Sequence, residues 1–196
     1  MINRITIQAY QVGLVFEKGK LINVLEAGSY WIFGNKQVHI YEMKQSFVAP
    51  IELTILLQNE KLASLLEVIE IADNEIALYY VNGMFKEVLT TGRYAFWKGY
   101  LDNTFTKIDL SKVEITEAVP VALLENIKVR AYTRKYQVLN FEKGLLFVNG
   151  AFVKELAAGN YYFWNNAIPI EVKNVDIRQQ QMEIAGQELL TKDKAT

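Results

Sequence analysis

The apolar positions of this chain follow two periods, one of two residues and one of about sixty-five. From Gly13 to Phe33 apolar and polar residues alternate, break at Gly19 and Gly28, and end on Tyr30, Trp31, Ile32 and Phe33. The same order of breaks and aromatics returns from Ala77 to Trp97 and from Gly144 to Trp164, starting 64 and then a further 67 residues on. In each copy two glycines stand nine apart (Gly19/Gly28, Gly83/Gly92, Gly150/Gly159). A leucine precedes the second glycine by three (Leu25, Leu89, Leu156) and a tyrosine follows it by two (Tyr30, Tyr94, Tyr161). Alternation bounded by turn residues marks strands, and self-similarity over tens of residues marks a repeat protein. Asn82-Gly83 and Asn149-Gly150 fit two-residue type I′ hairpin turns, which need positive φ at both central positions; Lys18-Gly19 holds the same place in the first copy. The second glycine suits a three-residue loop with glycine in the left-handed conformation. Each copy thus reads as a three-stranded meander. Its last strand is apolar on both faces, with Tyr30/Ile32, Tyr94/Phe96 and Tyr161/Phe163 opposite Trp31/Phe33, Ala95/Trp97 and Tyr162/Trp164. Such a strand should be covered on both sides, which a single small meander cannot do.

The segments between the copies have a different period. Leu62, Leu65, Leu66 and Ile69 form an i, i+3, i+4, i+7 stripe behind Asn59, which predicts a helix over 59–69 with an asparagine N-cap. Residues 68–81 then read as strand, with Asp73-Asn74 as a turn or bulge. Pro120 interrupts the next segment, Ala122 to Asn126 reads as a helical turn, and 128–141 reads as strand. The predicted fold is mainly β: three tandem small β-meander modules with one or two short helices. The module boundaries fall at 1–50, 51–119 and 120–196.

Composition narrows the chemistry. The 196 residues carry 21 Lys+Arg against 22 Asp+Glu, so no global basic field exists for nucleic acid. The absence of cysteine removes disulfides, thiol catalysis and Cys-ligated metals, and His39 is the only imidazole. No cofactor, metal site or catalytic residue is expected. The longest uncharged stretch, Leu156 to Ile170, is 15 residues and is broken by Gly, Asn and Pro, short of the ~20 apolar residues that a membrane span needs.

Four features could still carry function. Asp109 and Asp176 each follow the second glycine of their copy by 17, and paired carboxylates do acid–base work. The same offset in the first copy falls on Gln45, and a turn-capping role repeated with the module is the simpler account. His39, in the alternating run Val38 to Tyr41, reads as a solvent-facing strand residue. Lys128, Arg130, Arg134 and Lys135, interleaved with Tyr132 and Tyr136, would place three basic residues on one strand face. That face is either a charged edge against sheet-to-sheet pairing or a contact for anionic lipid or a partner. Tyr30, Phe33, Tyr94, Trp97, Tyr161 and Trp164 are expected to be core or module-packing aromatics, with a ligand-stacking platform as the other reading.

The end of the chain carries a resemblance. Val175-Asp176-x-Arg178, then Glu183-Ile184-x-Gly186-Gln187-Glu188, then Thr191-Lys192-Asp193 resemble the opening of a band-7 (SPFH) domain, the domain of stomatins, prohibitins, flotillins and bacterial slipins. The third copy, with Gly144, Leu156, Gly159, Tyr161 and Trp164, is similar to the entry to that domain. The chain as a whole is similar to the N-terminal region of slipins that bear extra repeats, and its hairpin pattern also resembles the repeats of vault-type proteins. The hydrophobic anchor and coiled coil of the family have no counterpart here, and the motif runs to the last residues, so the expectation is a fragment entering a truncated band-7 domain. What the resemblance implies is a non-enzymatic, membrane-associated scaffold, homo-oligomeric and on the cytoplasmic side, peripheral to the inner membrane, with lipid and a membrane-bound protease as further partners. The alternative is a peripheral lipid- or protein-binding β module.

Overall fold

A computed structural model describes residues 2–178. Its first module holds five strands: β1 (Ile2–Ile7), β2 (Gln11–Glu17), β3 (Lys20–Leu25), β4 (Gly28–Phe33) and β5 (Gln37–Glu42). A connector with helices α1 (Leu53–Leu56) and α2 (Glu60–Leu65) leads to the second module. That module comprises β6 (Leu66–Ile71), β7 (Glu75–Val81), β8 (Met84–Leu89), β9 (Gly92–Trp97) and β10 (Asn103–Asp109). A second connector with α3 (Val121–Leu124) and α4 (Ile127–Arg130) precedes β11 (Thr133–Val138), β12 (Glu142–Val148), β13 (Ala151–Leu156), β14 (Gly159–Trp164) and β15 (Ile170–Asp176). The chain is mainly β, built of small antiparallel sheets arranged in repeated modules.

The first hairpin of each module forms as its residues dictate. Lys18, Asn82 and Asn149 have φ of 50°, 50° and 51°, and the glycines after them 78°, 74° and 77°, the double positive φ of a type I′ turn. All three hairpins also carry a register shift at the same place, between Val15/Phe16, Tyr79/Tyr80 and Leu146/Phe147.

The meander stops there. Strand β4 does not pair with β3; it crosses to pair with β1, from Ile2↔Phe33 to Ile7↔Gly28, while β5 takes the free side of β2. Each module is therefore a three-stranded sheet (order β3-β2-β5 in the first) and a two-stranded ladder (β1-β4), repeated as β8-β7-β10 with β6-β9 and β13-β12-β15 with β11-β14. Sheet and ladder close on a shared core: Ile7 of β1, Val15 of β2 and Leu25 of β3 are buried together, with Tyr30 and Ile32 of β4 against them. The second glycine, at φ of 148–156°, begins the crossing strand and does not sit in a left-handed hairpin loop.

Sequence and structure also part in the connectors. The predicted helix over 59–69 ends at Leu65; Asn59 does cap it, accepting from the Leu62 N–H at 3.0 Å, but Leu66–Ile71 pairs with β9 as strand. The β-branched Val68, Ile69 and Ile71 suit a pleated strand covered on both faces, and the ladder outweighs the helical stripe. Helix α1 has no clear signal in the sequence. Residues 127–130 are helix, not strand, because Asn126 repeats the cap of Asn59 67 positions on, accepting from the Lys128 N–H, and Val129 drops into the core. The connectors are themselves a repeat.

Candidate functional site

The joints between modules are where the repeated residues converge. On β9, Trp97 and Ala95 face away from their own module's core and, with Leu66 of β6, join Val12, Leu14 and Phe16 of the first three-stranded sheet and Leu56 and Leu62 of the connector in one buried cluster. Trp97 is 1% exposed, with Phe47 edge-on to it at 5.1 Å. The second joint repeats the first. Trp164 of β14, fully buried, packs with Ile76, Leu78 and Ile108 of the second sheet and with Leu124 and Val129 of the connector. Its indole N–H donates to Glu117 at 3.1 Å, whereas the buried N–H of Trp97 has no partner among the described residues. Each connector is also stitched to the module after it by backbone bonds, Phe47 N–H to the Ala95 carbonyl and Trp164 N–H to that of Val113, both at 2.9 Å.

The tyrosines of the same motif do something else. The hydroxyls of Tyr30, Tyr94 and Tyr161 donate to the carbonyls of Glu26, Thr90 and Ala157, four residues upstream, at 3.0, 3.1 and 2.9 Å. Each ring lies over the second glycine of its copy: a Cβ on Gly28 would stand 3.3 Å from the Tyr30 ring and 3.2 Å from its hydroxyl. Leu-x-x-Gly-x-Tyr thus spells a corner, with a tyrosine tying the start of the crossing strand back to the end of the hairpin, a device known from β-sandwiches.

Phe33 departs from its equivalents. It aligns with Trp97 and Trp164, yet it is 58% exposed, as are Trp31 (60%) and Ile2 (61%) on the same face of the β1-β4 ladder. In the second and third modules the covering comes from the sheet of the module before; in the first, no described residue covers this face of the strand.

The basic segment does not form one face. Lys128 donates from Nζ to the Lys86 carbonyl at 2.7 Å and lies with Arg130 on α4. Arg134 is folded onto Asn165 at 3.0 Å and the carbonyls of Asn166 and Ile168. Lys135 points to the other side of β11, over the Tyr162 ring and 2.6 Å from Glu125 of the connector. The hydrogen bond from Lys135, then that from Tyr162, holds the Glu125 carboxyl below its ordinary range, and Glu125 in turn raises Lys135.

Asp109 and Asp176 lie in different modules, at the last position of β10 and β15. Strand pairing makes Glu42 their counterpart in the first module, through Gln11↔Glu42, Glu75↔Asp109 and Glu142↔Asp176, and not Gln45. The offset from the glycine misleads because the connection before β5 is two residues shorter than its equivalents and β5 itself one residue shorter. Each carboxylate binds two residues on: Glu42 to Lys44 at 2.9 Å, Asp109 to the Ser111 N–H at 2.9 Å, Asp176 to Arg178. The Ser111 and Arg178 hydrogen bonds hold both aspartates below the usual carboxylate range. His39 is exposed on β5, edge-on to Phe16 at 5.4 Å.

Among the described residues no group of three His, Asp or Glu side chains stands close enough to share a metal, and no helix is long and apolar enough to cross a membrane. Of the band-7-like motif only Val175, Asp176 and Arg178 fall within the described residues; Glu183 to Asp193 lie outside them. No protein-family model matches the chain, and no curated protein or solved structure matches it either.

Proposed function

We propose that the chain is a non-enzymatic scaffold, a series of β modules that holds an assembly together beside a membrane, in the manner of the repeat region of a slipin-like band-7 protein. The observation that carries the scaffold reading is the pair of equivalent joints at Trp97 and Trp164. The largest side chains of the repeat are spent on fixing one module against the next, and the residues that could do acid–base work are spent on turns. The band-7 part of the reading rests on the Val175-Asp176-x-Arg178 motif and its continuation to Asp193. A peripheral lipid-binding module centred on 128–135 is the weaker alternative, because Lys128, Arg134 and Lys135 are committed to intramolecular acceptors.

Native size measurement tests the proposal. The tagged chain, produced at low level in bacterial cells and solubilised in mild detergent, should run well above the mass of one chain and co-fractionate with membranes. Trp164→Ala, which loosens a joint, should shrink the assembly. A chain that runs as a monomer in lysate and stays with the soluble fraction overturns it.

A further inference from the structure

We infer that the exposed face of the β1-β4 ladder is one half of a head-to-tail interface between copies of this chain, and that the outer face of the β13-β12-β15 sheet is the other half. The argument rests on a contact that the chain makes twice within itself. In both joints the outward face of a two-stranded ladder seats on the outward face of the preceding three-stranded sheet. The ladder contributes Leu66, Ala95 and Trp97 at the first joint, and Tyr162 and Trp164 at the second. The positions equivalent to these on the first module are Ile2, Trp31 and Phe33, placed by the cross-strand pairs Ile2↔Phe33 and Arg4↔Trp31 just as Leu66↔Trp97 and Lys135↔Tyr162 place theirs. They are 58–61% exposed, and no described residue covers them.

The likeness extends to polar detail. Arg4 lies over the Trp31 ring at 5.9 Å, as Lys135 lies over Tyr162 at 5.5 Å. At the inner joint that cation meets the carboxylate of Glu125, supplied by the connector that follows the preceding module. The Arg4–Trp31 pair has the cation and the ring, and among the described residues it meets no acid.

At the other end, Leu145, Phe147, Phe152 and Val175 hold the positions that Leu78, Tyr80, Phe85 and Ile108 hold on the second sheet. The T-shaped pair Tyr80–Phe85 at 5.8 Å recurs as Phe147–Phe152 at 5.8 Å. On the second sheet these positions pack against the following connector and Trp164. Here Phe152 is 55% exposed and Val175 47%. This face is more polar than its counterpart on the second sheet: Lys143 stands for Ile76, Glu155 for Val88, Glu171 for Thr104 and Lys173 for Thr106, with Lys143 and Glu155 salt-bridged at 2.8 Å and Lys173 over the Phe147 ring at 5.0 Å. Association between copies is therefore weaker than the inner joints and depends on concentration. The surfaces differ, so the contact is heterologous and propagates to a ring or a filament.

The inference deepens the scaffold reading by naming a second copy as the partner, and sedimentation of the purified full chain tests it separately. The wild-type chain should show average mass rising steadily with concentration. Trp31→Glu with Phe33→Glu, both exposed and so compatible with folding, should give a monomer, and so should Phe152→Glu with Val175→Glu. A mixture of the two double variants should stop at a 1:1 dimer, because each keeps one intact face and the chain of contacts cannot extend. A wild-type chain monomeric at all concentrations overturns the inference, as does association that survives either double variant. Dimers formed by the Phe152/Val175 variant alone overturn it in favour of a two-fold contact between ladders. A large assembly in cells together with a purified chain that stays monomeric leaves the scaffold reading standing and removes this partner.

Discussion

Lys18, at φ 50°, is the one first-turn residue of the three hairpins that is not asparagine. An L-residue with a long side chain in the left-handed region costs ~1–2 kcal/mol, which asparagine largely avoids. Lys18→Asn should therefore raise stability by roughly 1 kcal/mol, read as a higher urea midpoint at unchanged slope. At this scale the sequence is legible, since the turn is decided by backbone sterics within two residues. The corner tyrosines are legible only as a spacing. That Tyr94 reaches the Thr90 carbonyl depends on where the crossing strand starts, which no local preference announces.

Among elements, the connectors show how short helices survive. Each of the four has four to six residues, too short to persist alone; each is held by one buried side chain or more, Leu56, Leu62, Leu124 and Val129, dropped onto a neighbouring sheet. The second connector is further tied to the ladder by Glu125, Lys135 and Tyr162, and this tie is pH-dependent. The Glu125 carboxyl is held below its ordinary 4.5, so its contribution is fully present above that value and is lost as pH falls through the lowered one. Thermal unfolding of the wild type should show a shallow loss of stability on acidification below about pH 4.5, and Glu125→Gln should flatten part of that slope. The stripe over 59–69 gives way to strand at Leu66 because Leu66 and Ile69 serve two different cores, one on each face of that strand, and a helical stripe and a doubly buried strand share the same spacing over so few residues.

For the molecule as a whole, the buried clusters form a chain of neighbours. One joins the first module to the second, another the second to the third, and among the described residues none joins the first to the third. Stability of such a series is a sum of module and joint terms, so a broken joint should uncouple modules before it unfolds them. Trp164→Ala should cost about 3–5 kcal/mol and split a single denaturant transition into two, the third module melting apart from the first pair; hydrogen exchange resolved by segment checks which part opens.

The number of repeats, the I′ turns, the asparagine cap and the near-even balance of charge were all determined by the sequence, because each is a matter of local sterics, periodicity or composition. The crossing pairs β1-β4, β6-β9 and β11-β14 were decided by the tertiary structure alone. Each aromatic strand leaves its hairpin to pair with the strand that opens its module, which turns one apolar face onto its own sheet, and at β9 and β14 the other face is buried against the preceding sheet. The same physics explains Phe33: identical in pattern to Trp97 and Trp164, it is exposed because a repeat specifies a surface, and the neighbouring module determines whether that surface is buried.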